Sequence, residues 1–175
     1  MKILKKIIKK LLPPIFFPTI FKECINYFIK GENKIIYEDN FYNRIAFINK
    51  MDRVGADFDR AVTMLAENLH AKPIIINYPI GAEDNFKGII DLVSGKEIIY
   101  DDDSGKTFIE QEISAEHFDK YKELREQLLE TATEADDDIL EKYLETGDLT
   151  QEEVMKCIRI LTIKENYVPT CCGTA

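Results

Sequence analysis

Four consecutive residues, Asn49-Lys50-Met51-Asp52, close a short apolar run that begins at Arg44 and passes through Ile45, Ala46, Phe47 and Ile48. Guanine presents two adjacent donors, N1–H and the 2-amino group, and one carboxylate can accept from both. Adenine has no such pair, so a single Asp at the mouth of a strand is enough to separate the two bases. Charge-assisted pairs of this kind are roughly twice as strong as neutral ones. The Asn49 amide is suited to brace the base and the loop, and the Lys50 stem can lie flat against a ring. Ligands of open α/β sheets bind outside the carboxyl ends of strands, where this tetrapeptide falls. An exposed turn with solvated charges is the plain alternative.

The elements around the tetrapeptide alternate in a readable way. The run 44–49 has the length and composition of a buried strand. Asp57 stands as an N-cap before Phe58, Ala61, Val62, Leu65 and Leu69, which recur at helical spacing up to His70. Lys72-Pro73 ends that helix, and Ile74–Tyr78 reads as a second strand. Runs 86–93, 96–100 and 107–113 follow, separated by Ser94-Gly95 and Asp103-Ser104-Gly105, the turn chemistry of hairpins. A helix N-capped by Ser114 then presents Phe118, Tyr121, Leu124, Leu128 and Ala132 on one face. A shorter helix over 136–144 is closed by Gly147, and Thr150-Gln151-Glu152-Glu153 is a capping box opening a third, with Val154, Ile158 and Leu161 inward. Tyr167–Cys172 is a last strand. The pattern predicts a mixed α/β chain interrupted by an α+β insert.

Composition narrows the function classes. Of 175 residues, 45% are apolar and 31% charged, which excludes a disordered or collagen-like chain. A chain of this size removes roughly 70% of its unfolded surface from water. The formal net charge of -9 speaks against DNA or RNA as a broad partner, because such binding needs clustered cations. The charge is uneven: residues 1–40 hold eight lysines against four acidic residues, leaving 15 basic and 28 acidic residues in 41–175. Within the leader, Ile3, Leu4, Ile7, Ile8, Leu11 and Leu12 alternate with lysines until Pro13-Pro14 stops the pattern. A membrane-surface helix has this look, but the stretch is short, and an arbitrary leader explains it as well. A secretory signal does not fit, since the prolines interrupt the apolar stretch and no small-residue cleavage site follows. Cys24, Cys157, Cys171 and Cys172 form no CxxC pair, so reduced thiols in a cytoplasmic protein are expected.

Two decoys are set aside. Ser104-Gly105-Lys106-Thr107 ends like a phosphate loop, yet Tyr100 stands where the first glycine belongs and Asp101 to Asp103 would repel phosphate. The same stretch half-resembles a calcium loop through Asp101, Asp103 and Glu112, but has Gly105 at a ligand position and Lys106 at the glycine position. A hairpin tip accounts for it better. His70 and His117 have no partners at metal-ligand spacing.

The stretch RIAFINKMDRVGADFDRAV resembles the guanine-recognition strand and loop of elongation factor G, the translocation GTPase of the ribosome. The resemblance runs on through KPIIINYPIGAEDNFKGIIDLV, the acidic hairpin around DDDSGKTF, EADDDILEKYLETGDLTQEE and the closing VPTCCGTA, covering about residues 44–175. It implies a partial P-loop-type GTPase sheet from strands near 44–49 and 167–172, interrupted by the insert subdomain. On that reading residues 1–43 are an unassigned leader, 44–69 a partial GTPase domain, 70–165 the insert, and 166–175 the returning strand with a truncated guanine loop. It further implies guanine contacts by Asn49, Lys50 and Asp52, and a backbone N–H to guanine O6 from the segment ending Thr174-Ala175, where the family usually has Ser-Ala. GTP or GDP is the implied ligand. The ribosome is the implied partner, with its acidic stalk protein meeting the helices over 114–133 and 150–163; a stalk-binding insert module without nucleotide function is the alternative reading, and solvated polar helix faces are the plain one. The chain contains no GxxxxGK[ST] and no DxxGH, the parts that would hold phosphates and Mg²⁺. Hydrolysis by this chain alone is therefore not expected, and strands 44–49 and 167–172 are expected to have open edges.

Overall fold

The computed structural model describes residues 44–101, 107–164 and 167–174. The leader 1–43, the hairpin tip 102–106, residues 165–166 and Ala175 lie outside the described residues, and with them most of the phosphate-loop decoy and part of the calcium-loop decoy. The elements in chain order are β1 (Ala46–Ile48), α1 (Phe58–Leu69), β2 (Lys72–Ile75), β3 (Asn77–Ile80), β4 (Gly88–Asp91), β5 (Lys96–Tyr100), β6 (Phe108–Glu112), α2 (Phe118–Thr133), α3 (Asp137–Thr146), α4 (Gln151–Lys164) and β7 (Tyr167–Cys172). They build a mixed α/β fold with one parallel sheet, ordered β1-β7-β2, and one antiparallel sheet, ordered β3-β4-β5-β6.

In the parallel sheet β7 is central. Ala46, Phe47 and Ile48 align with Thr170, Cys171 and Cys172 on one side, and Lys72 to Ile75 align with Tyr167 to Thr170 on the other. Both parallel pairings with β7 need long crossovers; the chain from β2 to β7 passes through the antiparallel sheet and α2 to α4, while α1 connects β1 to β2 on the far side of β7. The expectation that the strand over 167–172 has an open edge is thus corrected: β7 is paired along both sides. Residues 72–75, within the range the resemblance gives to the insert, belong to this parallel sheet.

The apolar run 74–78 is not one strand. It divides at Ile76, with β2 ending in the parallel sheet and β3 starting in the antiparallel one. Ile76 ties the two together, donating its N–H to Thr170 O at 3.0 Å and accepting from Leu92 N at 3.1 Å. A continuous apolar run fits either sheet, so hydrophobicity alone cannot mark the handover.

The helices follow their local signals, with one exception. Asp57 caps α1, its carboxylate accepting from Arg60 N at 2.9 Å. Asp136 caps α3, accepting from Asp138 N at 3.1 Å, and Gly147 closes it. The Thr150–Glu153 box is reciprocal, with Thr150 N donating to Glu153 Oε2 at 2.9 Å and Glu153 N reaching Thr150 Oγ1 at 3.4 Å. Ser114 does not cap α2, which starts at Phe118 after a turn. Its N–H and hydroxyl donate instead to Glu97 Oε1, at 3.0 and 2.8 Å. Phe118 is exposed, whereas Leu124, Leu128 and Ala132 of the expected face are buried together with Leu129.

Two hydrophobic clusters follow. The larger packs α2 and α4 through Leu124, Leu128, Val154, Ile158 and Leu161 against strand residues such as Ile74 and Ile90. The smaller contains Met51, Phe58, Ile89, Ile98 and Cys172, and so joins the loop after β1 to α1, β7 and the antiparallel sheet. Arg125 pins the larger one from its rim, donating to the carbonyls of Leu92 at 2.7 Å and Leu149 at 2.9 Å and to the Asp148 carboxylate at 3.1 Å. Among the described residues no helix is long and apolar enough to cross a membrane.

Candidate nucleotide-recognition loop

The tetrapeptide Asn49-Lys50-Met51-Asp52 lies at the carboxyl end of β1, beside the carboxyl end of β7. The pairing of these two strands extends past their last ladder residues: Gly173 N donates to Ile48 O at 3.1 Å, and Met51 N donates to Gly173 O at 3.2 Å. A side chain at position 173 would press on Phe47, since a Cβ there would come within 3.1 Å of its ring. Close approach of the two strand ends therefore favours glycine.

Within the loop the residues divide the work. The Asn49 side chain turns back on its own backbone, Oδ1 accepting from Lys50 N at 2.8 Å. That bond holds Lys50 in the left-handed region, at φ 64, which a residue bearing a Cβ adopts only when its surroundings insist. The reversal sends Met51 inward and Asp52 outward: Met51 is 1% exposed, in the smaller cluster, while Asp52 is exposed. Met51 thereby anchors the loop. Asp52 Oδ1 accepts the Thr174 hydroxyl proton at 2.7 Å. Asn49, Lys50, Asp52 and Thr174 thus come together at the carboxyl end of the parallel sheet, and Ala175 lies outside the described residues.

Two residues that the sequence reading did not single out complete the arrangement. Asn77, 3% exposed, mimics a strand neighbour: its Oδ1 accepts from Cys172 N at 2.8 Å and its Nδ2 donates to Cys172 O at 3.3 Å. It fixes the end of β7 immediately before Gly173-Thr174. The available signal was a lone Asn within Ile74-Ile75-Ile76-Asn77-Tyr78-Pro79-Ile80, since a buried amide must find partners. Glu83, on the connection between β3 and β4, donates its N–H to Met51 O at 2.8 Å, and its carboxylate accepts from Gly55 N at 2.7 Å. Nothing in Gly81-Ala82-Glu83-Asp84 marks it from sequence.

What the loop presents to solvent is a hydrogen-bond acceptor. An exposed carboxylate with one oxygen engaged by a hydroxyl can still accept from a planar pair of donors. Beneath it the thiols are held protonated: burial pushes Cys171 up to about 12, and burial with the neighbouring Cys171 raises Cys172 further. Neither is a nucleophile at neutral pH. Among the described residues no group of three His, Cys, Asp or Glu side chains is placed to hold a metal ion.

No protein-family model matches the chain. Among solved structures, it is similar to a crystal structure of a protein from Thermus thermophilus, at 25% identity and a TM-score of 0.61. The match covers 75% of this chain and 19% of that one, so the chain spans about a fifth of the length of the structure it resembles.

Proposed function

We propose that the chain carries the guanine-recognition part of an elongation factor G-like translational GTPase, together with the insert subdomain, and binds the base without hydrolysing the nucleotide on its own. The observation that carries this reading is the exposed Asp52 carboxylate, hydrogen-bonded to Thr174, at the adjoining carboxyl ends of two parallel strands. It is supported by the sequence resemblance over 44–175, which extends across both sheets. In such a site the strand ends supply rigidity, the carboxylate reads N1–H and the 2-amino group, and the backbone around Thr174 faces O6. A phosphate loop and Mg²⁺ ligands must come from elsewhere, because this sequence contains neither motif.

A ribosomal setting is part of the same proposal. The helices that would meet an acidic stalk protein carry mixed charge on α2, the exposed Asp119, Glu126 and Glu130 beside the exposed Lys122 and the Lys120–Glu123 pair. The base site is the stronger half of the reading.

Base recognition without phosphate contacts is weak, so two measurements test it together. Calorimetry with GTP at micromolar concentration should show no binding and no turnover. NMR titration with millimolar guanosine should shift the amides of residues 49–52, 173 and 174, while adenosine leaves them in place. Micromolar GTP affinity would refute the missing phosphate site, and equal responses to the two nucleosides would refute guanine recognition.

A further inference from the structure

Glu83 belongs to the antiparallel sheet's first hairpin, yet it spends its N–H and its carboxylate on the loop after β1. Its N–H holds Met51 O at 2.8 Å and its carboxylate holds Gly55 N at 2.7 Å. Asp52 lies between those two points. Inside the loop Met51 N is also held by Gly173 O at 3.2 Å, and beyond Met51 the remaining backbone bonds are local turns, Arg53 N to Lys50 O at 3.1 Å and Ala56 N to Arg53 O at 3.0 Å. Local turns do not tie residues 52–56 to the rest of the molecule, and Glu83 supplies backbone attachments on either side of Asp52, at Met51 O and Gly55 N, from the antiparallel sheet's hairpin.

The hairpin is built to present that residue. Glu83 takes φ 56, a left-handed conformation that costs a non-glycine residue free energy. Gly81, two residues earlier, has φ 75, and a Cβ there would lie 2.0 Å from Asn85 O, so only glycine lets the chain turn this tightly. Phe86 closes the turn, its N–H donating to Glu83 O at 3.0 Å while its ring packs on the smaller cluster. The strained residue of the hairpin is the one that touches the recognition loop, and the loop residue next to its contact, Lys50, is left-handed as well. Strain of this sort persists where the surroundings over-determine it and where position matters.

We infer that Glu83 is a positioning residue for base recognition: the insert's first hairpin aims the Asp52 carboxylate by clamping Met51 and Gly55. The inference rests on the guanine reading given above. It makes the antiparallel sheet part of the specificity apparatus, so that displacement of this hairpin loosens the base site without touching a ligand.

The test is amide hydrogen exchange combined with the guanosine titration, on the full chain. Glu83→Ala is expected to raise Gly55 amide exchange about tenfold, the equivalent of one ordinary hydrogen bond, and to weaken the guanosine response of residues 49–52 severalfold. Glu83→Gln, which keeps an acceptor oxygen, is expected to restore most of both. Glu83→Gly removes the carboxylate but relieves the left-handed strain, so it keeps the chain folded if the alanine variant does not, and it should still free the Gly55 amide. Unchanged Gly55 exchange in the alanine and glycine variants would overturn the clamp, and so would a glutamine variant as impaired as either. If the unsubstituted chain shows no preference for guanosine while Gly55 still responds to Glu83→Ala, the guanine reading fails, and with it Glu83's role in specificity, leaving a structural clamp.

Discussion

Asp52 and Glu97, one in each sheet region, both take a hydroxyl as partner, and they differ in almost everything else. Asp52 is exposed and accepts from Thr174. Glu97, on β5, is 1% exposed and is surrounded by Gln111 Nε2 at 2.9 Å, Ser114 N and Oγ at 3.0 and 2.8 Å, and His117 Nδ1 at 2.7 Å. A carboxylate only accepts, so His117 donates to it through Nδ1–H. Glu97 already accepts four hydrogen bonds, three of them on Oε1, and its burial leaves a ligand no route to it. The Ser-His-Glu grouping therefore has the membership of a catalytic triad and the geometry of a structural knot, with serine and histidine both donating to the same oxygen. Spare acceptor capacity at a surface, and not the mere presence of a carboxylate, distinguishes the recognition site from the staple.

The largest effect that tests this contrast is in acid. Burial works against ionisation of Glu97, but the hydrogen bonds from Gln111, His117 and Ser114 outweigh it and hold its carboxyl at about 2, against an ordinary 4.5. A carboxyl depressed on folding stabilises the fold fully above its unfolded value and loses that contribution as pH falls from about 4.5 through about 2. The difference corresponds to about 3 kcal/mol. Glu153, held low by Lys142 and the Thr150 cap, acts in the same direction and window. Urea denaturation between pH 6 and pH 2 should therefore show stability falling across that window, and Glu97→Gln should be less stable at pH 6 with a shallower acid slope. An unaltered slope in the variant would demote the knot to ordinary surface electrostatics.

An intermediate effect is expected at Asn77. Asn77→Ala strips partners from both Cys172 N and Cys172 O, and orphaned buried backbone groups make a cost of about 2 kcal/mol reasonable. It should also weaken the guanosine response, because Thr174 stands just beyond the residue it frees. Glu97→Gln, by contrast, should leave that response intact at neutral pH. If both variants weakened base binding in proportion to their stability loss, the two regions would be one cooperative unit, and the contrast between site and staple would dissolve.

The parts of this arrangement that were legible in the sequence are those whose causes are local. Asp57, Asp136 and the Thr150–Glu153 box each reveal a helix start within three residues of the side chain that caps it. The strand before the tetrapeptide and the one over 167–172 are short apolar runs bounded by polar residues, and both form as expected. What stayed hidden depends on distant partners. Ser114 looks like a cap until Glu97, 17 residues away in sequence, claims its hydroxyl. Asn77 and Cys172 are 95 residues apart, and Glu83 and Gly55 are 28 apart, so no window of sequence holds both members of either pair. The division of the apolar run at Ile76 is of the same kind, because which sheet takes each half is decided by β7 and β4.

The smallest expected change in stability comes with the sharpest expected change in specificity, at Asp52. Asp52→Asn keeps an oxygen able to accept the Thr174 hydroxyl proton, and at an exposed position the fold should change by no more than about 0.5 kcal/mol. The side chain, however, now offers one acceptor and one donor in place of two acceptors. Guanine's N1–H still finds its acceptor, but its 2-amino group meets another donor. Xanthine, with a carbonyl in place of that amino group, matches the new pair. NMR titration of the variant should accordingly show residues 49–52 responding to xanthosine more than to guanosine, reversing the order in the unsubstituted chain. A variant that lost guanosine without gaining xanthosine would mean that the carboxylate acts through charge alone, and the comparison with Glu97 would then rest on exposure without directed acceptance.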